Sequence, residues 1–405
     1  MINEKERYPE YRWMILGLAW LVLVCLVWSW FLIPSLAYRL FPELKLTHAQ
    51  FTLILTAPFL IGVLTPIIGG ALGDRFGIRL IVAVAAFLAG LTGITRVFTP
   101  SFQGMFFLMC LFGIAYGIVM PNLPKLVGIW FPPKQAGLAS GIYMTGLNIG
   151  AALGLLTGPL FGEWKPAFIT SGIIMLGAAI LWTLFAKNTP IGVEIHMPHL
   201  VTGITRGIRS KNVWLIAMGQ CLYLGAFVGF SGNFPTALQN VHQVSPKTAG
   251  AISSLLTWGL VIGNFFLPML SDRIGWRKPF VHIGAVVSAV CFFFAWYFAP
   301  GAATWTLIFI GGIVFGSIQP VLFTILVEIP EIGPECMGGA SGLVATLLNA
   351  GGFFIPLLIT SPLVAAGTPA AYSTGFLVTA LILGGIVVLT LFLMETGAKA
   401  AVRKI

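Results

Sequence analysis

Long apolar runs, separated by short polar segments, cover almost the whole chain. A helix needs about 20 mainly apolar residues to cross the hydrocarbon core of a membrane. The strands of a membrane barrel are disfavoured, because they would be about 10 residues long with alternating polarity. The pattern therefore predicts an all-α membrane protein with twelve transmembrane helices (spans one to twelve), over about 13–36, 49–72, 78–98, 102–127, 137–161, 167–187, 212–232, 247–270, 279–299, 303–328, 337–365 and 371–394.

Charged residues are scarce in this chain. Of 405 residues, 58% are hydrophobic and only 8% are charged, whereas a soluble domain carries about 25% charged residues. Most of the surface must therefore face the lipid bilayer, which excludes a soluble enzyme, a disordered chain and a nucleic-acid-binding protein. The five cysteines share no short spacing, and we expect them to be small buried residues without disulfides or metal.

Lysine and arginine are distributed unevenly among the segments that join the spans. If the N-terminus is cytoplasmic, only five of the 22 basic residues lie outside: Arg39, Lys45, Arg96, Lys165 and Lys247. Because basic residues prefer the cytoplasmic side, this predicts a multi-pass protein of the cell (inner) membrane with both termini inside. The same excess accounts for the net charge of +10, so no nucleic-acid partner is implied.

The longest polar stretch, 188–211, links spans six and seven. It divides the chain into an N-terminal bundle of six spans, 1–187, and a C-terminal bundle of six spans, 212–405. His196 and His199 lie in this linker, but they have no third ligand nearby. We therefore expect neither a metal site nor a cofactor.

The two halves repeat three sequence blocks in the same order. The loop after span two reads GALGDRFGIR, and the loop after span eight reads PMLSDRIGWRK. Spans four and ten share G-x3-G-x3-P, which begins at Gly113 and Gly312. Spans five and eleven share A-S-G-x3-T-x-L-N-x-G, which begins at Ala139 and Ala340. Three matched blocks indicate an internal repeat of six spans.

The loop motif G-x3-D-R-x-G-x-R and this repeat make the chain resemble the major facilitator superfamily over essentially its whole length. The resemblance implies two pseudo-symmetric six-helix bundles and rocker-switch alternating access around a central cavity. We also expect a monomer that binds a small-molecule substrate.

Within that superfamily, the run Asn349–Pro356 and the glycine-rich span five resemble the cyanate and nitrate/nitrite porter branch. Nitrate porters of this family place one arginine in span two and another in span eight. The segments Phe51–Leu72 and Ser254–Leu270 contain no basic residue. Nitrate is therefore disfavoured as the substrate.

In the family, the loop motif is a latch that stabilises the outward-facing state, and the resemblance implies the same role here. The charges can bridge to opposite charges or to helix ends. We expect Glu328 to pair with Arg273, whereas Arg75 has no obvious acidic partner within its half. The alternative is that these charges only set the topology. The latch residues are Gly70, Asp74, Arg75, Gly77, Arg79, Asp272, Arg273, Gly275, Arg277 and Glu328.

Asp, Glu, His and Arg are absent from the middle third of every span, although such residues usually mark ion pathways. Met109 stands where proton-coupled members commonly have an arginine. We therefore expect facilitated diffusion or exchange. Lys125 and Arg96 are the cations closest to a central cavity, and we expect both to extend toward the membrane surface, with access to the cavity as the open alternative.

Span five carries a glycine at every fourth position from Gly146 to Gly162, which lets another helix approach closely. Its second half resembles the antiporter motif of the superfamily but has Glu163 in place of the final glycine.

Polar and aromatic side chains deep in the spans are the candidates for substrate binding. Asn148 and Asn349 occupy equivalent positions in the two halves, so their amides either donate to the substrate or bond to neighbouring backbone carbonyls. The candidates are Trp28, Trp30, Tyr116, Asn122, Tyr143, Asn148, Gln220, Tyr223, Trp258, Gln319 and Asn349.

These features predict a secondary active or facilitative transporter of a small solute. Aromatic rings, amides and one or two peripheral cations favour a monovalent anion, such as a monocarboxylate or cyanate, because a dianion needs more compensating charge. The alternative is efflux of a hydrophobic drug, which the aromatic residues and the partial antiporter motif favour. A third possibility is a membrane sensor that does not transport, but such a protein usually needs a long soluble domain, which this sequence lacks. We do not expect an enzyme, because no nucleophile, base and orienting residue can be assembled within the membrane. We do not expect ATP as the energy source, because the sequence has no glycine-rich phosphate loop followed by Lys-Ser/Thr.

Overall fold

A computed structural model of the chain describes residues 9–189, 205, 207–298, 300–329 and 332–397, and these contain helices and turns but no strand. The predicted linker, with His196 and His199, lies largely outside the described residues. The helices are α1 (Tyr11–Ser35), α2 (Ala37–Leu44), α3 (His48–Ile61), α4 (Thr65–Phe76), α5 (Ile78–Thr95), α6 (Phe102–Trp130), α7 (Pro133–Thr157), α8 (Trp164–Phe185), α9 (Lys211–His242), α10 (Pro246–Ile274), α11 (Lys278–Tyr297), α12 (Ala302–Phe315), α13 (Ile318–Glu328), α14 (Gly333–Ile355), α15 (Ser361–Val364) and α16 (Pro369–Leu391).

Within the described residues, 11 helical segments are long and apolar enough to cross a membrane, and α3 is a shorter apolar helix. Span one is α1, span two is α3 with α4, and spans three to nine are α5 to α11 in order. Span ten is α12 with α13, span eleven is α14 with α15, and span twelve is α16. The predicted all-α membrane fold is confirmed.

Spans two and ten, predicted as continuous helices, are each interrupted once. Span two turns at 62–64, and span ten breaks after Phe315. In both, a glycine at the break lies four residues before a proline: Gly62 precedes Pro66, and Gly316 precedes Pro320. Proline has no backbone N–H, so it cannot bond to the carbonyl of that glycine. Gly117 also lies four residues before Pro121 in the uninterrupted helix α6, so this spacing alone does not cause the break.

The chain divides into two compact units. Unit 1 consists of Met1–Lys45 and Leu60–Met197, and unit 2 of Leu46–Phe59 and Pro198–Ile405. Most of α3 therefore belongs to unit 2, where the Phe59 ring lies against Gly352.

In unit 1, α1 packs on α7, α5 packs on α6 and α8, and α4 packs on α6. The predicted glycine stripe of span five lies against α1. A Cβ added at Gly150 would lie 2.6 Å from the Val24 carbonyl oxygen, and one at Gly154 would lie 2.6 Å from Phe31 Cβ. Such close approach of two helix backbones is the packing that small residues permit in a membrane.

Unit 2 repeats these helix pairings in its own spans. Helix α9 packs on α14, α11 packs on α12 and α16, and α10 packs on α12. Its core is aromatic: the Phe230 ring lies 4.7 Å from Phe234 and 4.6 Å from Phe292, centroid to centroid. The pairing of the first span with the fifth, the second with the fourth and the third with the sixth is therefore the same in both halves.

Candidate substrate site and latch residues

The latch residues of unit 1 hold α4 against α6. Lys125 Nζ lies 2.6 Å from Asp74 Oδ1 and donates to the Gly70 carbonyl oxygen at 2.9 Å. The Lys125 ammonium is therefore bound by a carboxylate of α4, and 35% of its side chain remains exposed. That it extends to the membrane surface stays a prediction. Arg75 is exposed, forms no ion pair within the described residues, and lies with its guanidinium 5.1 Å from the Phe76 ring centre.

Arg79 joins the first turn of α5 to the last turn of α8. Its Nε and Nη2 donate to the Thr183 carbonyl oxygen at 3.2 and 2.6 Å, and its backbone N–H donates to Asn188 Oδ1 at 2.8 Å. A cation at a helix C-terminus stabilises the carbonyls that lack helical partners there. Gly77, with φ of 87°, makes the turn between α4 and α5.

In unit 2, Arg277 is the centre of the equivalent cluster. Its Nη2 and Nε donate to the two carboxylate oxygens of Glu328 at 2.6 and 3.2 Å, and its Nη1 pairs with Asp272. The side-chain hydrogen bond with Glu328 is the main cause of a raised pKa of Arg277. The predicted pair of Glu328 with Arg273 was wrong. Gly275, with φ of 77°, reverses the chain after α10 and leaves Arg273 exposed.

Glu395 and Lys278 complete this cluster, although the sequence did not predict either as a latch residue. The Glu395 carboxylate accepts the backbone N–H groups of Arg277 and Lys278, at 2.8 and 2.9 Å, and so caps α11. Lys278 Nζ donates to the carbonyl oxygens of Leu391 and Leu393 at the end of α16. The sequence feature that could have identified Glu395 is a polar residue shortly after the sixth span of each half, which is Asn188 in the first half and Glu395 in the second.

Two of the candidate binding residues of unit 1 lie in one aromatic group. The Trp30 ring lies 6.0 Å from Phe112 and 5.3 Å from Tyr116, edge to face. Arg96 contacts the same group, with its guanidinium carbon 5.0 Å from the Phe112 ring centre. Arg96 is 0% exposed, so the expectation that it extends to the surface was wrong.

Other candidates in unit 1 serve helix packing. Asn122 Nδ2 donates to the carbonyl oxygens of Gly69 and Ile118, at 2.9 and 2.7 Å. Trp28 Nε1 donates to Thr157 Oγ1 at 2.8 Å. Tyr143 is buried in α7.

In unit 2, Gln220 and Gln319 join α9 to α13. Gln220 Nε2 donates to the Gln319 carbonyl oxygen at 2.9 Å, whereas the buried Gln220 Oε1 has no partner within the described residues. One turn further along α9, Tyr223 stacks on Phe315 with ring centres 4.4 Å apart. Trp258 is half-buried in α10.

The equivalent asparagines have different surroundings. Asn349 Nδ2 donates to the Ala345 carbonyl oxygen of its own helix at 2.9 Å, and its buried Oδ1 has no partner within the described residues. Asn148 is half-buried and forms no hydrogen bond with the described part of the chain.

A family model decides the identity of this fold: the Major Facilitator Superfamily matches residues 7–356. The chain belongs to the major facilitator superfamily. The resemblance seen in the sequence is therefore confirmed, and the protein is a multi-pass membrane transporter and not an enzyme.

Several superfamily relatives cover most of the chain. The probable nitrate/nitrite transporter NarK2 of Mycobacterium tuberculosis is 26% identical over 347 residues, which are 82% of this chain and 84% of the relative. The nitrite extrusion protein of Bacillus subtilis is 27% identical over 383 residues, or 89% of each chain. The hexuronate transporter of Bacillus subtilis is 25% identical over 343 residues, which are 78% of this chain and 79% of the relative.

Solved structures of superfamily transporters share the fold. A bacterial homologue of the human lysosomal transporter Spinster, in an inward-facing and unoccupied conformation, has a TM-score of 0.77 at 15% identity, over 94% of this chain and 96% of that one. The nucleoside transporter NupG has a TM-score of 0.76 at 16% identity, over 94% of this chain and 99% of that one.

Proposed function

We propose that this superfamily member transports a small monovalent anion, a monocarboxylate or a cyanate-like ion, across the cytoplasmic membrane. The observation that supports this most directly is that the three relatives described above are named for nitrate, nitrite and hexuronate, each of which is an anion with a single charge. The anion class is therefore inferred from relatives that match most of the chain, and the particular anion is inferred from the residues of this chain.

The charges and polar groups of the spans favour one negative charge. Span two and span eight have no arginine over Phe51–Leu72 and Ser254–Leu270, which disfavours nitrate itself. Arg96 is a single buried cation without a carboxylate partner in the described residues. Since an ion in a low-dielectric site needs compensation of about equal charge, a monoanion fits this chain better than a dianion.

Coupling follows from where the acids lie. The described acidic residues that form ion pairs, such as Asp74, Asp272 and Glu328, lie at or beside the ends of helices and are bound by Lys125 or Arg277. A proton carrier requires a carboxylate or a histidine that can gain and lose a proton in mid-membrane, and the middle thirds of the predicted spans contain neither. We therefore propose facilitated diffusion or exchange, by alternating access, as the mode of transport.

The topology and the latch are part of the same proposal. We place both termini in the cytoplasm, with bundles at 1–187 and 212–405 joined by the linker 188–211, and we propose a monomer as the working unit. The ion pairs of Lys125 with Asp74 and of Arg277 with Glu328 then lie at the cytoplasmic ends of their spans, where the superfamily latch acts.

Uptake into proteoliposomes tests this function. Purified protein is reconstituted, and uptake of radiolabelled formate, acetate, cyanate and nitrate is measured with and without trapped unlabelled anion. Saturable uptake that trapped anion accelerates is expected. If no anion is taken up and cells expressing the protein extrude hydrophobic dyes, the drug-efflux alternative is correct and the anion proposal is wrong.

A further inference from the structure

Arg96 is a cation enclosed within unit 1. It begins the 3-10 turn Arg96–Phe98 that ends span three, and its side chain is 0% exposed. No carboxylate forms an ion pair with it within the described residues. Arginine does not lose its proton in proteins, so this position carries a positive charge at every physiological pH.

The hydrogen bonds of Arg96 leave one edge of the guanidinium unused. Its Nη1 donates to the Ser29 carbonyl oxygen at 3.3 Å, but its buried Nε and Nη2 have no acceptor in the described part of the chain. Burying charged donors without acceptors is costly. The rings of Phe112 and Phe168, 5.0 and 5.4 Å from the guanidinium carbon, offset only part of that cost.

The unused edge has a defined chemical preference. Nε–H and one Nη–H of a guanidinium are parallel donors, and this fork matches two oxygens of a planar anion such as a carboxylate or nitrate. A spherical halide cannot occupy both donors with the same geometry. A planar oxyanion would therefore fit the unused edge better than a halide would.

The surroundings connect Arg96 to the candidate substrate site. Phe112 contacts Trp30, which contacts Tyr116, so the guanidinium adjoins the aromatic group described above. Ser29, whose carbonyl oxygen accepts from Arg96, also accepts at its hydroxyl from the Ser171 hydroxyl of α8, at 3.3 Å. Three helices, α1, α6 and α8, thus supply the groups around this cation.

We propose that the Nε and Nη2 edge of Arg96 binds a planar monovalent oxyanion, with carboxylate as the preferred class. This inference rests on the proposed function, since the transported anion is the occupant it names. It assigns the specificity to a residue at the end of span three and to the two-oxygen geometry of the anion.

Anion titrations of the full-length protein in detergent test the site. Tryptophan fluorescence and thermal unfolding are followed against formate, nitrate and chloride at constant ionic strength set with fluoride, which is a spherical anion. Formate is expected to saturate, with nitrate weaker than formate and chloride at least about tenfold weaker. Arg96→Lys keeps the charge but removes the fork, and we expect its formate affinity to fall about tenfold or more and its preference over chloride to disappear. Arg96→Met should show no formate dependence.

Lys165→Met is the matched control, because Lys165 is an exposed cation of the same unit, with its Nζ 5.6 Å from the Trp164 ring centre. It should titrate as the wild type does. Wild-type affinity for formate in Arg96→Lys would overturn the proposal. If neither Arg96 variant folds, measurements on the wild type test the site. Tighter binding of formate than of chloride, together with slower amide exchange of residues 92–98 when formate is bound, would support it. Equal binding of the two ions would refute it.

The site and the transport function fail separately. Saturable formate binding that depends on Arg96, in a protein that transports no anion, would leave the site standing and refute the proposed function. Formate transport with unchanged affinity in Arg96→Lys would refute the site and leave the function standing.

Discussion

Asp74 and Lys125 form an ion pair of 2.6 Å that joins span two to span four. The other half joins span eight to span ten with the charges reversed, because the base Arg277 lies in the loop and the acid Glu328 lies on α13, also at 2.6 Å. The sequence repeat does not match at Lys125 or Glu328, yet the same pair of spans is held together in each half. The position of the ion pair is therefore repeated, and its polarity is not.

Reversal of the first pair should be tolerated, whereas loss of one partner should not. We expect Asp74→Asn to lower the free energy of unfolding by about 1 kcal/mol, a modest value because both side chains are partly exposed, at 24% and 35%. The double variant Asp74→Lys with Lys125→Asp should recover most of that loss in thermal unfolding. Arg75→Gln, which removes an exposed charge without an ion pair, is the control and should unfold as the wild type does. A double variant less stable than either single variant would contradict this.

In the second half, Arg277 and not Arg273 should be required for stability. Arg277→Met leaves Glu328 and Asp272 without their cation, and we expect a loss of about 2 kcal/mol, since Arg277 is buried while its partners are partly exposed. Arg273→Met should change the unfolding free energy by less than about 0.5 kcal/mol. Denaturant or thermal unfolding of both variants in detergent measures the difference, and equal losses would show that the two arginines share Glu328.

Helices could be predicted from this sequence more readily than charge partners. Hydropathy over about 20 residues fixes a membrane span locally, so all predicted spans contain helix. The choice between Arg273 and Arg277 depends on the reversal at Gly275, which apolar periodicity does not encode. The burial of Arg96 depends on Ser29, Phe112 and Phe168 from other helices. The hydropathy pattern along the sequence does not show how helices that are distant in sequence pack together.

Close helix contact in unit 2 should make Gly351 intolerant of a side chain. A Cβ at this position would overlap the Cys221 backbone, so Gly351→Ala should lower stability by about 2 kcal/mol or more. Gly342→Ala, on the same helix with open space around its Cβ position, should be neutral or stabilise by a few tenths to about 1 kcal/mol. Thermal unfolding and anion uptake are measured for both variants. If the two variants are equally stable, α9 and α14 are farther apart than the contact between Cys221 and Gly351 implies.

Topology is tested by labelling single cysteines in a variant from which the five native cysteines have been removed. Cysteines placed singly at 190–208 or 399–405, largely outside the described residues, should react only with reagents that reach the cytoplasm, because basic residues accumulate on that side. A cysteine at Lys165 should react with impermeant reagent applied to intact cells. Labelling of 190–208 from outside would invert the proposed orientation.

The two equivalent asparagines should differ in what they do. Asn148 is half-buried without a hydrogen bond to the described chain, so its amide is available to an anion. Asn349 already donates to the Ala345 carbonyl oxygen, so its amide is bound within its own helix.

Asn→Asp keeps the size of each side chain while replacing the donor with a negative charge. We expect Asn148→Asp to fold normally and to bind or transport formate at least about tenfold more weakly, by like-charge repulsion. Asn349→Asp should instead lower the free energy of unfolding by about 1–3 kcal/mol, since a carboxylate would face a carbonyl. Each variant is the control for the other, with uptake and thermal unfolding measured on both. Unchanged formate affinity in Asn148→Asp would remove Asn148 from the substrate site, and a stable Asn349→Asp with weakened affinity would return Asn349 to it.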